Sequence, residues 1–183
     1  MIKKIFTPIM DNDIKNLRAG DIVNLYGTIY TARDAAHKRL IDFLDKGLDL
    51  PINVNNEIIY YVGPCPARDG QIVGSAGPTT SSRMDAYTPR LLDLGLKGMI
   101  GKGIRDESVT ASIIKNKAVY FGATGGAGAL ISKKILFEEI IAFNDLGTEA
   151  IRELKVVELP LIVIIDSKGN NMYDLGKNKF KIQ

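Results

Sequence analysis

The chain has 183 residues, of which 45% are hydrophobic and 25% are charged, so its length and mix are those of one globular domain spanning residues 1–183. This composition excludes a disordered chain, a coiled coil and a collagen-like repeat, and the net charge of +3 gives nucleic-acid binding no electrostatic support. No apolar run approaches the roughly 20 residues that cross a bilayer, and the start MIKKIFTPIM is too short for a signal peptide.

A single cysteine, Cys65, and a single histidine, His37, narrow the chemistry further. One cysteine excludes an internal disulfide framework and a multi-cysteine metal cage, so we expect no metal site within this chain. Iron–sulfur clusters take about three or four cysteines, so Cys65 cannot hold one alone. A reducing, cytoplasmic location is the simplest expectation, with no membrane association.

The first half of the chain predicts a strand, a helix and two short strands. Residues 20–30 alternate apolar and polar side chains, as in a half-buried strand. Thr31 and Asp34 form a short capping box for a helix that Gly47 ends. Residues 57–62 and 71–73 are predicted strands, separated by the bend GPCPARDG.

The second half alternates helices and strands. Helices are predicted from Thr88-Pro89 to Gly95, over 107–115, from about 129 and over 148–155, with strands over 96–100, 118–121 and 160–165. The last strand is predicted to form a hairpin with 171–175. These patterns indicate an α/β domain with a mixed, largely buried central sheet and flanking helices.

Three basic residues lie at predicted turns. Arg33 and Arg83 fall within first helical turns, and Lys102 stands between two glycines after a strand. Each alone is explained by a solvated surface charge. Together they suit a small dianion, because arginine grips a carboxylate through two hydrogen bonds and lysine adds a point charge.

His37 and a run of hydroxyls lie near these cations. His37 is four residues past Arg33, so both project from one helix face, where the histidine could exchange protons near neutral pH or could simply be a half-buried helix residue. The hydroxyls of residues 79–82 precede Arg83, and they could cap a helix or act on a substrate.

The segment Gly122–Gly128 comes after a predicted strand and precedes a predicted helix. Its glycine spacing is compatible with a dinucleotide-binding turn. Only about one further strand–helix unit comes after it, and the first 117 residues would go unexplained, so a tight turn that needs close backbone approach is favoured.

The ordered motifs TARDAAHKRL, VGSAGPTTSSRMD, MIGKG, VYFGATGGAGAL and ELPLIVIIDSKGN resemble the β subunit of class I fumarate hydratases. They are also similar to the β subunit of L(+)-tartrate dehydratase and to the C-terminal domain of single-chain enzymes. The resemblance implies a swivelling β/β/α domain and reversible hydration of fumarate to (S)-malate. It also implies a 4Fe–4S cluster held by three cysteines of the other subunit, the cluster-bearing α subunit, in an α₂β₂ heterotetramer.

The resemblance also assigns roles to individual residues. Arg33, Arg83 and Lys102 match the family's carboxylate-binding residues, His37 matches a catalytic histidine, and Thr79 matches the threonine that moves the carbon-bound proton. The position four residues before Arg83 favours Thr79 over Thr80. The continuation GIRDES after Lys102 departs from the family's hydroxyl-rich pattern.

Other functions stay open at this point. L(+)-tartrate dehydratase acts on another four-carbon dicarboxylate, and nothing in the residues separates the two substrates. A non-catalytic anion-binding module and a nucleotide-binding enzyme are the remaining alternatives.

Overall fold

Seven strands and six α-helices make up the fold in a computed structural model that describes residues 1–181. The strands are β1 (Lys3–Phe6), β2 (Ile22–Thr31), β3 (Ile58–Tyr60), β4 (Gly98–Gly101), β5 (Val119–Gly122), β6 (Ile135–Ala142) and β7 (Ile151–Ile165). The helices are α1 (Asp11–Lys15), α2 (Asp34–Asp45), α3 (Thr88–Asp93), α4 (Glu107–Asn116), α5 (Gly128–Ser132) and α6 (Met172–Phe180). Two 3₁₀ segments cover Ser81–Met84 and Asn144–Glu149.

All strands belong to one mixed sheet, ordered β1-β2-β3-β4-β5-β7-β6. Strands β1 to β5 run parallel to one another, whereas β7 runs antiparallel to β2, β5 and β6. Because β7 pairs with both β5 and β2, strands β2, β3, β4, β5 and β7 form a closed ring. Strands β1 and β6 lie outside that ring.

The two faces of the ring strands build two apolar cores. In β3, Ile58 and Tyr60 join a core inside the ring, whereas Ile59 joins a core beneath the helices. This alternation arises from the two-residue period of a strand. The outer core includes Leu40 of α2 and Leu91 of α3, so the helices cover the outer face of the sheet.

Strand β7 keeps its apolar side chains toward the ring interior, although their two-residue spacing is interrupted part-way along. Leu154 and Val156 face the ring interior, and so does Leu159, three residues further on. The pairing with β2 shifts register at this point, and Glu158 has a positive φ of 50°. The extra residue is a β-bulge, which bends a strand and increases its twist.

The structure confirms the mixed α/β architecture with flanking helices, and it confirms the strand near 20–30 and the helices that begin near residues 34, 88 and 107. Strands β1 to β3, in the first half of the chain, pair in parallel. The predicted strand over 71–73 is wrong, because those residues form bends and join no ladder.

Three further predictions were wrong. The predicted helix over 148–155 is wrong, since residues 148–149 end the 3₁₀ segment, β7 begins at Ile151, and its pairing partners on both sides hold it extended. Residues 171–175 do not form a hairpin strand, because only an isolated bridge joins Ile165 to Asn171 before α6 begins. Thr31 does not cap α2, because it ends β2 and its hydroxyl donates to the Ala150 carbonyl at 3.3 Å.

Candidate active site

The predicted site residues lie just past the carboxyl ends of adjacent parallel strands. Arg33 comes after β2, Lys102 directly after β4, and the Gly122–Gly128 turn directly after β5. Thr79 is brought to the end of β3 by its amide, which donates to the Tyr61 carbonyl at 2.8 Å. In open α/β sheets this edge is where ligands bind, because loops from several strands meet there.

Thr79 and Lys102 lie side by side. The Lys102 amide donates to the Thr79 carbonyl at 3.3 Å, and the Lys102 carbonyl accepts from the Ser81 amide at 2.9 Å. The threonine segment therefore extends next to the loop after β4, with both threonines near the lysine.

The glycine-rich turn Gly122–Gly128 lies next to the Lys102 side chain. A Cβ atom on Gly125 would be 3.8 Å from the Lys102 ammonium nitrogen. One on Gly128 would be 2.8 Å from the backbone nitrogen of Gly77. These distances agree with the predicted close backbone approach, since a side chain at Gly128 would collide with the segment that carries Thr79.

Arg33 and Arg83 both border the start of α2. Arg33 is the N-cap residue rather than part of the first turn, and its guanidinium lies 3.3 Å from the Glu149 carboxylate. Arg83 donates from Nε to Oδ1 of Asp34, the first residue of the helix, at 2.7 Å. Each arginine at this positive end of the helix dipole is thus balanced by a carboxylate.

His37 differs from its prediction. It is fully buried, its imidazole makes an edge contact with Tyr61, and its Nδ1 lies 2.9 Å from the Arg33 carbonyl. The pKa of His37 is lowered to about 4, chiefly by burial. The hydrogen bond to the Arg33 carbonyl acts to raise this pKa, and the positive charge of Arg105 acts to lower it. His37 is therefore neutral at pH 7 and does not titrate near neutrality.

A buried ion pair ties the two halves of the site together, and no sequence pattern indicated it. Arg105 donates from Nε to Asp85 at 2.6 Å and from a terminal nitrogen to the Thr88 hydroxyl at 2.8 Å. Its guanidinium also lies 5.3 Å from the Tyr61 ring and 5.1 Å from the Tyr120 ring, within cation–π range.

This pair gives the segment GIRDES after Lys102 a structural role. Arg105 is the third residue of that segment and Asp85 ends the motif GPTTSSRMD, so the ion pair links the two segments. The Tyr120 hydroxyl adds a second link, because it lies 2.9 Å from the Ser81 hydroxyl and 3.0 Å from the Gly103 carbonyl. Arg83 and Lys102 are therefore carried on loops fixed to one buried network.

Comparison with known proteins identifies the family of this chain. The profile of the family described as "Fumarase C-terminus" matches residues 3–176. The chain belongs to this family.

Relatives carry hydratase and dehydratase names. The chain is 38% identical over 175 residues to "Putative L(+)-tartrate dehydratase subunit beta" of Methanocaldococcus jannaschii, which covers 92% of this chain and 90% of that protein. It is 37% identical over 159 residues to "Fumarate hydratase class I, anaerobic" of Escherichia coli and 36% identical over 156 residues to "Fumarate hydratase 2" of Leishmania major. Those alignments cover 86% and 84% of this chain but only 29% and 28% of the two relatives.

An iron–sulfur cluster does not fit the residues of this chain. Cys65 is exposed, and no group of three or more His, Cys, Asp or Glu within residues 1–181 could hold a metal ion. In the same part of the chain, no helix is both long and apolar enough to cross a membrane.

Proposed function

We propose that the chain is the small subunit of a hydro-lyase that adds water reversibly across the double bond of fumarate to give (S)-malate. The observation that supports this most is that the segments carrying Arg33, Thr79, Arg83 and Lys102 are neighbours at the carboxyl edge of β2 to β5. Hydroxyl and cationic groups at one edge suit a small dicarboxylate. The family match over residues 3–176 supports the same reaction class.

The proposed reaction needs positive charge at the site. Removal of a proton next to a carboxylate places negative charge on that carboxylate as it becomes enolate-like. Fixed guanidinium and ammonium groups stabilise this charge best where water is excluded, and one such donor contributes about 2.7–4 kcal/mol in comparable sites. We assign carboxylate binding to Arg33, Arg83 and Lys102.

Thr79 and His37 have different parts in this proposal. Thr79, partly exposed beside Lys102, is the hydroxyl that moves the carbon-bound proton. His37 is fully buried and cannot touch a substrate at this edge, so we propose it as a positioning residue. Its Nδ1 holds the Arg33 carbonyl, which keeps Arg33 at the start of α2.

The remaining parts of the enzyme come from elsewhere. We propose that a larger α subunit carries the 4Fe–4S cluster and that the two chains assemble as an α₂β₂ heterotetramer. Two observations support a partner: this chain has one cysteine, and it spans 29% of the single-chain Escherichia coli relative.

Reconstitution with the larger chain tests the proposal. The assembled enzyme is expected to hydrate fumarate, and Arg83→Ala is expected to lower kcat/KM about a hundredfold or more while the fold stays intact by circular dichroism. Arg90→Ala is the matched control, because Arg90 is similarly exposed and is paired with Asp45 as Arg83 is with Asp34. Near-normal activity of the Arg83 variant would count against the assignment.

A second candidate is the β subunit of L(+)-tartrate dehydratase, which converts tartrate to oxaloacetate. The Methanocaldococcus jannaschii relative favours it, because that protein matches this chain over 90% of its own length. Parallel assays of the reconstituted enzyme on fumarate and on L(+)-tartrate decide between the two.

A further inference from the structure

Glu149 pairs with Arg33, the arginine proposed above to bind a substrate carboxylate. One oxygen of its carboxylate lies 3.3 Å from the Arg33 guanidinium, and the other accepts a hydrogen bond from the Ala35 amide at 2.9 Å. A guanidinium and an N–H group at a helix start are a typical carboxylate site. We infer that Glu149 is an internal counter-ion of this site, which competes with the substrate for Arg33 and lowers its affinity. The inference rests on the carboxylate-binding role proposed for Arg33.

Arg33 keeps hydrogen-bonding capacity that Glu149 does not use. Its Nε atom is buried and has no hydrogen-bond partner among the described residues. Its 3.3 Å contact with Glu149 is longer than the 2.7–2.9 Å typical of a charge-assisted hydrogen bond. By contrast, Arg39 donates to both oxygens of Asp145 at 2.7 and 2.8 Å. The pair with Glu149 is therefore incomplete, and a ligand carboxylate that approaches the Arg33 guanidinium more closely can replace it.

The Glu149 side chain can leave while its backbone stays in place. The 3₁₀ segment Asn144–Glu149 is held against α2 by the Arg39–Asp145 pair and by an edge contact between Phe43 and Phe143. Glu149 is the last residue of that segment, and its side chain is 23% exposed, so rotation brings the carboxylate into water. Substrate entry then requires one side-chain movement and no movement of the segment.

The charge balance gives this arrangement a consequence for selectivity. A second carboxylate beside Arg33 is repelled by Glu149 until Glu149 moves, since like charges at close range disfavour each other. The cost falls on every anion, whereas only a dicarboxylate also reaches the cations on the other loops. Glu149 therefore weakens binding of every anion by a similar factor, and only a dicarboxylate recovers affinity from the other cations.

Glu149→Gln in the reconstituted enzyme tests the inference. The amide oxygen of glutamine can still accept from Ala35, but the charge is lost. We expect KM for fumarate to fall about fivefold and inhibition by inorganic phosphate to strengthen by a similar factor. The control is Glu139→Gln, an exposed glutamate of β6 whose replacement changes the net charge equally. A rise in KM would overturn the inference, because Glu149 would then hold Arg33 in place for the substrate.

A titration of the full chain separates this inference from the proposed function. The ¹⁵N-labelled chain is titrated with succinate, and the Ala35 amide reports on loss of its bond to Glu149. If the reconstituted enzyme is inactive yet the Glu149→Gln chain binds succinate about fivefold more tightly than wild type, the proposed function fails and the role of Glu149 stands. Equal succinate affinity of the two chains overturns the role of Glu149 whatever the enzyme does.

Discussion

His37 lies with its imidazole ring between Tyr61 and Tyr87, at centroid distances of 5.2 and 6.2 Å. Because burial lowers its pKa to about 4 in the folded chain, against about 6.5 in an unfolded one, the unfolded state takes up a proton between these two values. The histidine therefore costs almost no stability above pH 6.5, and it destabilises the fold progressively as the pH falls from 6.5 toward 4.

Replacement of His37 by glutamine should remove that pH dependence. From about pH 7 to about pH 4.5, the free energy of unfolding of the wild type should fall by about 2.5 kcal/mol more than that of the variant. Urea titrations of both proteins at the two pH values measure the difference. Parallel losses in the two proteins would mean that His37 is not held neutral.

Gly63 packs against the candidate anion site. A Cβ atom there would lie 2.5 Å from a terminal nitrogen of Arg33 and 3.0 Å from the Thr148 carbonyl. Gly63→Ala is therefore expected to displace the guanidinium and to lower kcat/KM of the reconstituted enzyme by about ten- to a hundredfold. Gly176→Ala in α6 is the control, because nothing lies within 4 Å of its added methyl group. Full activity of the Gly63 variant would contradict this placement of Arg33.

Site residues could be predicted from the sequence where they stand at a turn between a predicted strand and a predicted helix. Arg33, Arg83 and Lys102 could be selected because each stands at a predicted turn, and all three lie at one edge of the sheet. Glu149 could not be found in this way, because 114 residues separate it from its partner Ala35. Arg105 is also missed, since a single arginine in a loop is ordinarily exposed.

At the element scale, β7 shows where local patterns mislead. Residues 148–155 contain glutamate, lysine and leucine, with Ile151 and Leu154 at helical spacing, so the pattern favours a helix. In the fold, residues 152–155 pair with β2 on one side and with β6 on the other. Tertiary pairing therefore outweighs the local preference, which is a weak determinant of secondary structure.

The buried ion pair between Asp85 and Arg105 links two loops of the site. Asp85→Asn should cost about 3–5 kcal/mol of unfolding free energy, because it leaves the Arg105 guanidinium buried without its charge partner. Removal of both charges, in Asp85→Asn with Arg105→Met, should cost less than the single change. Urea unfolding of these variants and of Arg105→Met alone measures this. A double variant whose loss equals the sum of the two single losses would contradict a coupled pair.

At the scale of the whole molecule, the two cores share one set of strands. Leu154 of β7 belongs to the core inside the ring, and Leu40 of α2 belongs to the core between the helices and the outer face of the same sheet. Leu154→Ala and Leu40→Ala should each lower the unfolding free energy by about 2–5 kcal/mol. In each variant, circular dichroism and tyrosine fluorescence should report the same single transition. Separate transitions would show that one core unfolds without the other.

The bulge in β7 has a consequence for how the chain can vary in length. Deletion of Glu158 would remove the extra residue and leave Leu159, Leu161 and Val163 facing the ring interior, but β7 would lose the bend and the added twist that the bulge gives it. A one-residue insertion would instead place three residues of β7 opposite Tyr26 in place of two and would interrupt the pairing with β2 further. We therefore expect the spacing from Leu154 to Leu159 to tolerate substitutions of exposed side chains far better than any change in the number of residues.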